Sequence, residues 1–116
     1  MAFKFEELKV WQISLSLSNE VDLIAKGFPK IELFSLTNQI KKAADSVNLN
    51  IAEGCIGQSK AEFSRFLTYS IRSGLEVVSC LFMAKSRNYI SEVEFKRLYS
   101  EYELLCKMIS KLKSSL

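Results

Sequence analysis

The stretch LTNQIKKAADSVNLNIAEG, residues 36–54, decides the fold because its apolar residues recur every three or four positions. This spacing places them along one face of an α-helix. The apolar face consists of Leu36, Ile40, Ala43, Ala44, Val47 and Ile51. Gly54 is predicted to end the helix, since glycine adopts the left-handed conformation of a helix C-terminus without a Cβ clash. The sequence therefore predicts an amphipathic helix that packs through one face.

A second, polar stripe runs beside this apolar face. It comprises Gln39, Ser46, Asn50 and Glu53. Uncharged polar groups and one carboxylate next to an apolar face indicate a specified contact, either inside the fold or between subunits. Burying such groups without partners would cost about 1–3 kcal/mol each. We therefore expect these four side chains to be largely shielded from solvent and hydrogen-bonded.

Three further helices follow from the same periodicity. The predicted helices span residues 5–25, 35–53, 60–87 and 92–113. The first ends before Pro29, which cannot continue a helix, and the second begins near Ser35 as a plausible N-cap. Ser59–Glu62 and Ser91–Glu94 each have the spacing of a capping box, which marks the beginning of a helix.

The predicted fold class is all-α, because no segment alternates with a period of two. Short connections between long helices favour antiparallel neighbours, so we expect an up-down-up-down four-helix bundle. A chain of 116 residues is of ordinary size for one domain, spanning 1–116. The predicted core consists of Trp11, Leu36, Ile40, Val47, Ile51, Phe63, Phe66, Leu67, Leu81, Phe95, Leu98, Leu105 and Ile109.

Several apolar side chains lie outside the main helix faces. They are Phe3, Phe5, Leu49, Tyr69, Ile71 and Phe82. Excess apolar surface of this kind marks a partner surface, and a second copy of the chain is the commonest partner. We therefore expect a homo-oligomer; the alternative is that loops cover these side chains.

The composition argues against an enzyme, a metal site and a membrane span. The chain has no histidine, which removes the usual general base, and no Gly-Lys-Ser/Thr phosphate loop. Cys55, Cys80 and Cys106 form no CxxC pair, and Cys80 and Cys106 have apolar neighbours, so we expect them to be small buried side chains. No apolar run spans a bilayer and no signal peptide is evident, which predicts a cytoplasmic protein. We expect no catalytic residues, no cofactor and no metal.

The positive charge is concentrated on the third predicted helix. The net charge is +3, and residues 59–88 carry five basic against two acidic side chains. Arg65 and Arg72 are seven residues apart, so they lie about 20° apart around the helix axis. Ordinary pairing within the helix, between Glu62 and Arg65 and between Arg72 and Glu76, is the competing interpretation. The fourth helix carries a similar alignment of Lys96, Lys107 and Lys111.

A set of short motifs gives the chain a family resemblance. The motifs are Leu8-Lys9-Val10-Trp11-Gln12, Phe28-Pro29, Gln39 with Lys41-Lys42-Ala43-Ala44, Asn50-Ile51-Ala52-Glu53-Gly54, Ser59-Lys60-Ala61-Glu62-Phe63, Phe66-Leu67, Ser73 and Glu76. In order and spacing they resemble the four-helix-bundle proteins encoded in intervening sequences of bacterial 23S ribosomal RNA genes. The same fold family includes the accessory protein of diversity-generating retroelements. The resemblance covers residues 5–112.

This resemblance implies a cytoplasmic bacterial bundle that forms a ring-shaped homopentamer and binds nucleic acid or a nucleoprotein partner, with no established enzymatic activity. Lys41 and Lys42 stand where the family has an arginine pair; lysine keeps the charge but not the bidentate fork. The candidate nucleic-acid-binding residues are Lys41, Lys42, Arg65, Arg72, Lys85 and Arg87. Two alternatives stay open: an adaptor that docks a reverse transcriptase or ribosomal partner, and a structural remnant of a mobile rRNA insertion.

Overall fold

The chain folds into four α-helices, and a short 3-10 turn precedes each of the first two. The computed structural model describes residues 2–57 and 59–116. The helices are α1 (Lys9–Ala25), α2 (Leu36–Cys55), α3 (Lys60–Ser86) and α4 (Glu92–Ser114), and the 3-10 turns are Lys4–Glu7 and Lys30–Glu32. No strand occurs in the described residues, and the predicted all-α four-helix bundle is confirmed. The first helix begins four residues later than predicted, because the 3-10 turn takes up residues 4–7.

The helices enclose one elongated apolar core, and the molecule measures 43 × 23 × 23 Å. The α2–α3 contact is the most extensive, while α1 and α4 pack least closely as they close the bundle. All but three of the predicted core residues are buried. Trp11, Phe63 and Phe66 are only half-buried, so the prediction is wrong in detail for them. Trp11 lies at an edge, with its ring 4.8 Å from that of Phe5 in the first 3-10 turn.

The two predicted capping boxes form to different extents. At the start of α4 the Ser91 hydroxyl accepts from the Glu94 backbone N–H at 3.1 Å, and the Glu94 carboxylate accepts from the Ser91 N–H at 3.1 Å. At the start of α3 the Ser59 hydroxyl accepts from the Glu62 N–H at 3.1 Å. The return bond, from the Ser59 N–H to the Glu62 carboxylate, is absent from the described hydrogen bonds. The sequence therefore placed both helix starts correctly.

Gly54 does not end α2, so that prediction is wrong. The helix continues to Cys55, and no glycine among the described residues has a positive φ. A Cβ atom at Gly54 would lie 2.6 Å from Cβ of Phe66 and 3.1 Å from Cδ1 of Phe63. Glycine is therefore needed here because α2 and α3 approach closely, and not because the backbone turns.

The end of α3 is fixed by a left-handed residue that the sequence patterns did not identify. Asn88 has φ 62°, a conformation that asparagine tolerates better than most residues. Its N–H donates to the Lys85 carbonyl at 3.0 Å, and the Tyr89 N–H donates to the Ala84 carbonyl at 2.8 Å. This is a Schellman motif, and it directs Arg87 and Tyr89 toward the start of α2.

Candidate nucleic-acid interface

Three of the six candidate basic residues are engaged in ion pairs with other elements. Lys41 Nζ lies 3.0 Å from Asp22 Oδ1 on α1. Lys85 Nζ lies 3.1 Å from Glu92 Oε2 on α4, and 4.5 Å from the ring centre of Phe95. The hydrogen bond from Lys41, with a second from Lys26, holds the pKa of Asp22 below its ordinary value. These lysines connect neighbouring helices and are poorly placed to bind a phosphate.

Arg87 belongs to a cluster centred on Glu32 in the second 3-10 turn. The Glu32 carboxylate accepts from Arg87 Nη1 at 2.9 Å, from the Tyr89 hydroxyl at 2.7 Å and from the Ser35 hydroxyl at 2.8 Å. The bonds from Tyr89 and Ser35 lower the pKa of Glu32, and the same contact raises the pKa of Tyr89. Ser35 precedes α2 as predicted, but its hydroxyl makes no cap bond. The hydrogen bonds of this cluster link the α1–α2 connection to the α3–α4 connection.

The predicted shielding of the polar stripe is wrong for two of its four members. Gln39 and Glu53 are exposed, while Ser46 and Asn50 are half-buried. Asn50 Nδ2 donates to the Ser46 carbonyl at 2.8 Å, which is a bond inside α2. Gln39 Nε2 donates to Glu76 Oε2 on α3 at 3.5 Å. The stripe follows the outer flank of α2 beside α3, because the apolar face alone fills the bundle interior.

The buried polar contact between α2 and α3 is made by a different residue. Ser70 is fully buried, and its hydroxyl donates to the Val47 carbonyl at 2.7 Å. Sequence reasoning missed Ser70, although it lies between Leu67 and Gly74 on the apolar stripe of α3. A serine in such a stripe is a signal of a buried hydrogen bond to a neighbouring backbone.

The remaining candidates, Lys42, Arg65 and Arg72, form a group that we call the outer α2–α3 surface. All three are exposed, and none is in an ion pair within the described part of the chain. The hydrogen bonds at Gln39 and Val47 fix the antiparallel register, so Lys42 lies alongside the α3 segment that contains Arg72. Arg65 shares one face of α3 with Arg72, and its Cζ lies 5.6 Å from the neighbouring Phe66 ring centre.

The competing pairs within α3 do not form. Neither Glu62–Arg65 nor Arg72–Glu76 is among the ion pairs of residues 2–57 and 59–116. The Glu62 carboxylate lies near Gly57, where an added Cβ would be 3.2 Å from Oε1. Glu76 instead accepts the bond from Gln39 across the helix pair. The spacing permitted these ion pairs, but each carboxylate is placed beside another neighbour.

Exposed apolar residues cluster around two separate clefts of the bundle. Where the first 3-10 turn lies beside the end of α2, Phe3, Leu49 and Ile56 are 60% or more exposed around a cleft of about 410 Å³. On the α3–α4 side, Leu75 and Tyr99 border a cleft of about 360 Å³, with the exposed Phe82 ring 6.0 Å from that of Tyr99. Of the six apolar residues expected outside the main faces, Phe5 and Ile71 are half-buried.

The three cysteines lie apart from one another, and in the described part of the chain they form no disulfide. Cys55 and Cys80 are buried and Cys106 is half-buried, all as free thiols. Burial raises the pKa of Cys80 to about 11, which keeps the thiol protonated. In the described residues, no three His, Cys, Asp or Glu side chains are grouped closely enough to hold a metal ion. Within those residues, too, every helix is too short or too polar to cross a bilayer.

Comparison with known proteins identifies the family. The model of the 23S rRNA-intervening sequence protein family matches residues 6–111, which is nearly the whole chain. The chain belongs to this family. The match includes all of α1, α2 and α3 and most of α4, together with the outer α2–α3 surface. The resemblance based on the sequence motifs is therefore confirmed.

A solved structure supports the fold of this 23S rRNA-intervening sequence family member. It is the crystal structure of a protein of unknown function from the S23 ribosomal protein family of Bacteroides thetaiotaomicron VPI-5482. The two chains are 20% identical and superpose with a TM-score of 0.83, over 90% of this chain and 97% of the other. At this identity the similarity establishes the fold alone. No curated protein sequence matches the chain.

Proposed function

We propose that the chain is a non-enzymatic helical scaffold of the bacterial cytoplasm that binds RNA or DNA through the outer α2–α3 surface. One observation carries the proposal: Lys42, Arg65 and Arg72 are exposed together and have no ion-pair partner in the described residues. Cations without an internal partner are free to neutralise phosphates. Contacts to phosphates carry no sequence information, so we expect binding without base specificity.

Self-association increases the number of cations that one particle presents to a nucleic acid. Phosphate binding gains free energy by counterion release, in proportion to the number of phosphates neutralised. Three cations on one subunit give weak binding, whereas a ring of identical subunits repeats them around its circumference. We therefore propose a homo-oligomer as the binding form, with a pentamer as the ring implied by the family resemblance.

The distribution of exposed apolar residues supports a head-to-tail arrangement of subunits. A two-fold dimer joins the same patch on both subunits, whereas a ring joins two different patches. The patch around Leu49, formed by the first 3-10 turn and α2, and the α3–α4 patch around Phe82 differ in composition and share no helix. A ring that joins one patch to the other covers both apolar surfaces of every subunit.

A salt titration tests the proposal. Binding of a fluorescent single-stranded RNA and of duplex DNA is measured by anisotropy across a range of salt concentrations. We expect log K to fall linearly with log salt. Because R65Q/R72Q removes two cations that neutralise phosphates from every subunit, its slope for single-stranded RNA should be shallower than that of wild type by about 1.4 for each subunit that contacts the RNA. The control variant K26Q/K96Q removes the same charge elsewhere and should keep the wild-type slope.

Absence of binding to both nucleic acids at low salt would overturn the proposal and favour the structural remnant of an rRNA insertion. Equal slopes in wild type and R65Q/R72Q would place nucleic-acid binding on another surface. The adaptor alternative is favoured by a separate feature of the bundle, a cleft between α1 and α4.

A further inference from the structure

The loosest helix contact of the bundle opens into a cleft. It lies between the first turn of α1 and the last two turns of α4 and has a volume of about 440 Å³. Its apolar floor is formed by Leu8 and Val10 from the α1 side and by Met108 and Leu112 from α4. Val10 is buried, and the other three are half-buried. The floor therefore presents unfilled apolar surface, whose burial by a partner is favourable.

The rim of this cleft is basic. Lys9 lies on the α1 wall and Lys111 on the α4 wall, and both are exposed. Neither makes an ion pair within residues 2–57 and 59–116, and no acidic side chain lines the cleft. Two like charges on an apolar opening repel each other until an anionic group lies between them.

The stability of the helices explains only one of these lysines. Lys111 lies in the last turn of α4, where a cation interacts favourably with the helix dipole. Lys9 is the first residue of α1, where the dipole disfavours a cation, and the first turn of α1 has no acidic residue. Residues that break a local rule tend to mark functional sites. Lys9 therefore points to a ligand of negative charge.

We propose that this cleft binds a short acidic amphipathic helix of a partner protein. The partner's apolar side chains, spaced three and four residues apart, cover Leu8, Met108 and Leu112, while its carboxylates meet Lys9 and Lys111. The α4 wall from Met108 to Ser115 measures about 10 Å at 1.5 Å per residue, which is two turns of a bound helix. Met108 suits such a groove because its flexible thioether adapts to the apolar surface of a partner.

The chemistry of the floor favours a peptide over a nucleic acid. Single-stranded nucleic acids bind to grooves in which aromatic side chains stack on the bases. Besides its two lysines, the described lining of this cleft is aliphatic apart from the Met108 thioether and the Ser115 hydroxyl, and it contains no aromatic side chain. A peptide helix offers apolar side chains and carboxylates together, and it therefore complements both parts of the cleft.

The position of the cleft favours a different protein over a second copy of the chain. The apolar patches proposed for ring formation are built by the first 3-10 turn with α2 and by α3 with α4, and they share no lining residue with this cleft. The cleft opens on the α1–α4 side and stays accessible in a ring built through those patches. The choice of a different protein as occupant rests on the proposed ring, whereas the cleft itself is independent of nucleic-acid binding at the outer α2–α3 surface.

The test uses the full chain and three labelled peptides of about 18 residues, because isolated helices shorter than ~12–15 residues are marginal. The probe peptide has leucines at i, i+4 and i+7 flanked by glutamates on an alanine background. One control peptide has the same composition in scrambled order, and the other has lysine in place of every glutamate. Binding is measured by fluorescence anisotropy.

We expect the acidic amphipathic peptide to bind wild type and to lose about tenfold in affinity to K9Q/K111Q. The matched variant K96Q/K107Q removes two lysines from α4 outside the cleft, and its affinity should stay within about twofold of wild type. R65Q/R72Q should also bind the peptide as wild type does, so this inference and the nucleic-acid proposal fail separately. Thermal melting verifies that all variants are folded.

Several results would overturn the inference. Equal binding of the scrambled or the lysine peptide would show that no amphipathic acidic helix is recognised. Equal losses of peptide affinity in K9Q/K111Q and K96Q/K107Q would show that only the net charge of the chain matters, and not the position of the two lysines. A loss of RNA affinity in K9Q/K111Q would identify nucleic acid as the occupant of the cleft. A smaller particle mass of K9Q/K111Q than of wild type, measured by light scattering, would identify a second copy of the chain as the occupant.

Discussion

The two ends of the bundle carry equal numbers of basic residues and use them differently. The end that holds the α1–α2 and α3–α4 connections (residues 20–45 and 74–102), here called the paired end, has eight basic and eight acidic residues. The opposite end (residues 2–19, 46–57, 59–73 and 103–116), here called the open end, has eight basic and five acidic residues. The net charge of +3 therefore lies on the open end.

The pairing of these charges follows the same division. All six ion pairs of the described residues join groups of the paired end, and they engage six of its eight cations. The open end has none among residues 2–19, 46–57, 59–73 and 103–116. It is held instead by close packing, as at Gly54 against Phe66. The difference indicates that most basic residues of the paired end maintain the fold, whereas those of the open end, together with Lys42, are available to anionic partners.

The largest expected effect tests the packing of the open end. In G54A the new Cβ overlaps Cβ of Phe66, which is fixed to its backbone, so α2 and α3 must separate. We expect a loss of about 2 kcal/mol in the free energy of unfolding, measured by urea denaturation. G74A is the control, because its Cβ meets only Cys106 Sγ at 2.7 Å, the end of a half-buried side chain. Equal losses in both variants would contradict the proposed role of Gly54.

The next effect concerns the backbone of the paired end. N88A places an alanine in the left-handed conformation of the Schellman motif, which costs about 1 kcal/mol. N88G relieves the same strain and should not destabilise the chain. Urea denaturation compares the three proteins. A stability of N88A equal to that of wild type would show that the α3–α4 connection takes another conformation.

A gain of stability is expected in the centre of the bundle. The hydroxyl of Tyr102 is fully buried and has no hydrogen-bond partner among the described residues, and burial raises its pKa, so it stays protonated. Y102F removes this unsatisfied group and should raise the free energy of unfolding by about 1 kcal/mol. A loss of stability would instead indicate a partner for the hydroxyl, since Phe fills the same volume.

The smallest effect is the acid sensitivity of the paired end. Glu32 and Asp22 have pKa values below their ordinary 4.5 and 3.8, so they stabilise the fold above those values. This stabilisation is lost as the pH falls through the lowered pKa values. Melting temperatures measured from pH 7 downward should fall less steeply for E32Q than for wild type. E53Q, on an exposed residue of the open end, should follow wild type; an equal change in both variants would contradict the comparison.

The sequence predicted the parts of the fold that depend on one helix at a time. Apolar periodicity gave the four helices, and the Ser91 and Glu94 spacing gave a complete capping box. Pro29 marked the connection after the first helix, because proline cannot continue a helix. These signals act through neighbouring residues of the chain, and no knowledge of the other helices is needed to interpret them.

The parts that depend on which helices meet were not predictable in this way. Gly54 has the composition of a helix end, but the nearby Phe66 of α3 determines its role. The ion pairs of Lys41 and Arg87 join residues 19 and 55 positions apart, so no local spacing reveals them. The pairs expected from local spacing within α3 are absent from the described residues.

For the candidate site, the sequence predicted which basic residues could take part but not how they are arranged across different helices. The angle between Arg65 and Arg72 follows from helix geometry, and both are exposed as expected for a binding face. The cleft at Lys9 and Lys111 was not predictable, since it brings together residues from the two ends of the sequence. Its one local signal is a lysine at the first position of a helix.

The most direct test of the account separates the candidate cations that are held in ion pairs from those that are not, by a comparison of two triple variants that remove equal charge. K41Q/K85Q/R87Q removes the candidate cations held in ion pairs, and K42Q/R65Q/R72Q removes those that have no such partner. Melting temperature and RNA affinity at low salt are measured for both. The first variant should melt at lower temperature and retain RNA affinity, and the second should retain its melting temperature and lose affinity. The account would be contradicted if K41Q/K85Q/R87Q lost RNA affinity while K42Q/R65Q/R72Q lost thermal stability, or if both variants changed equally.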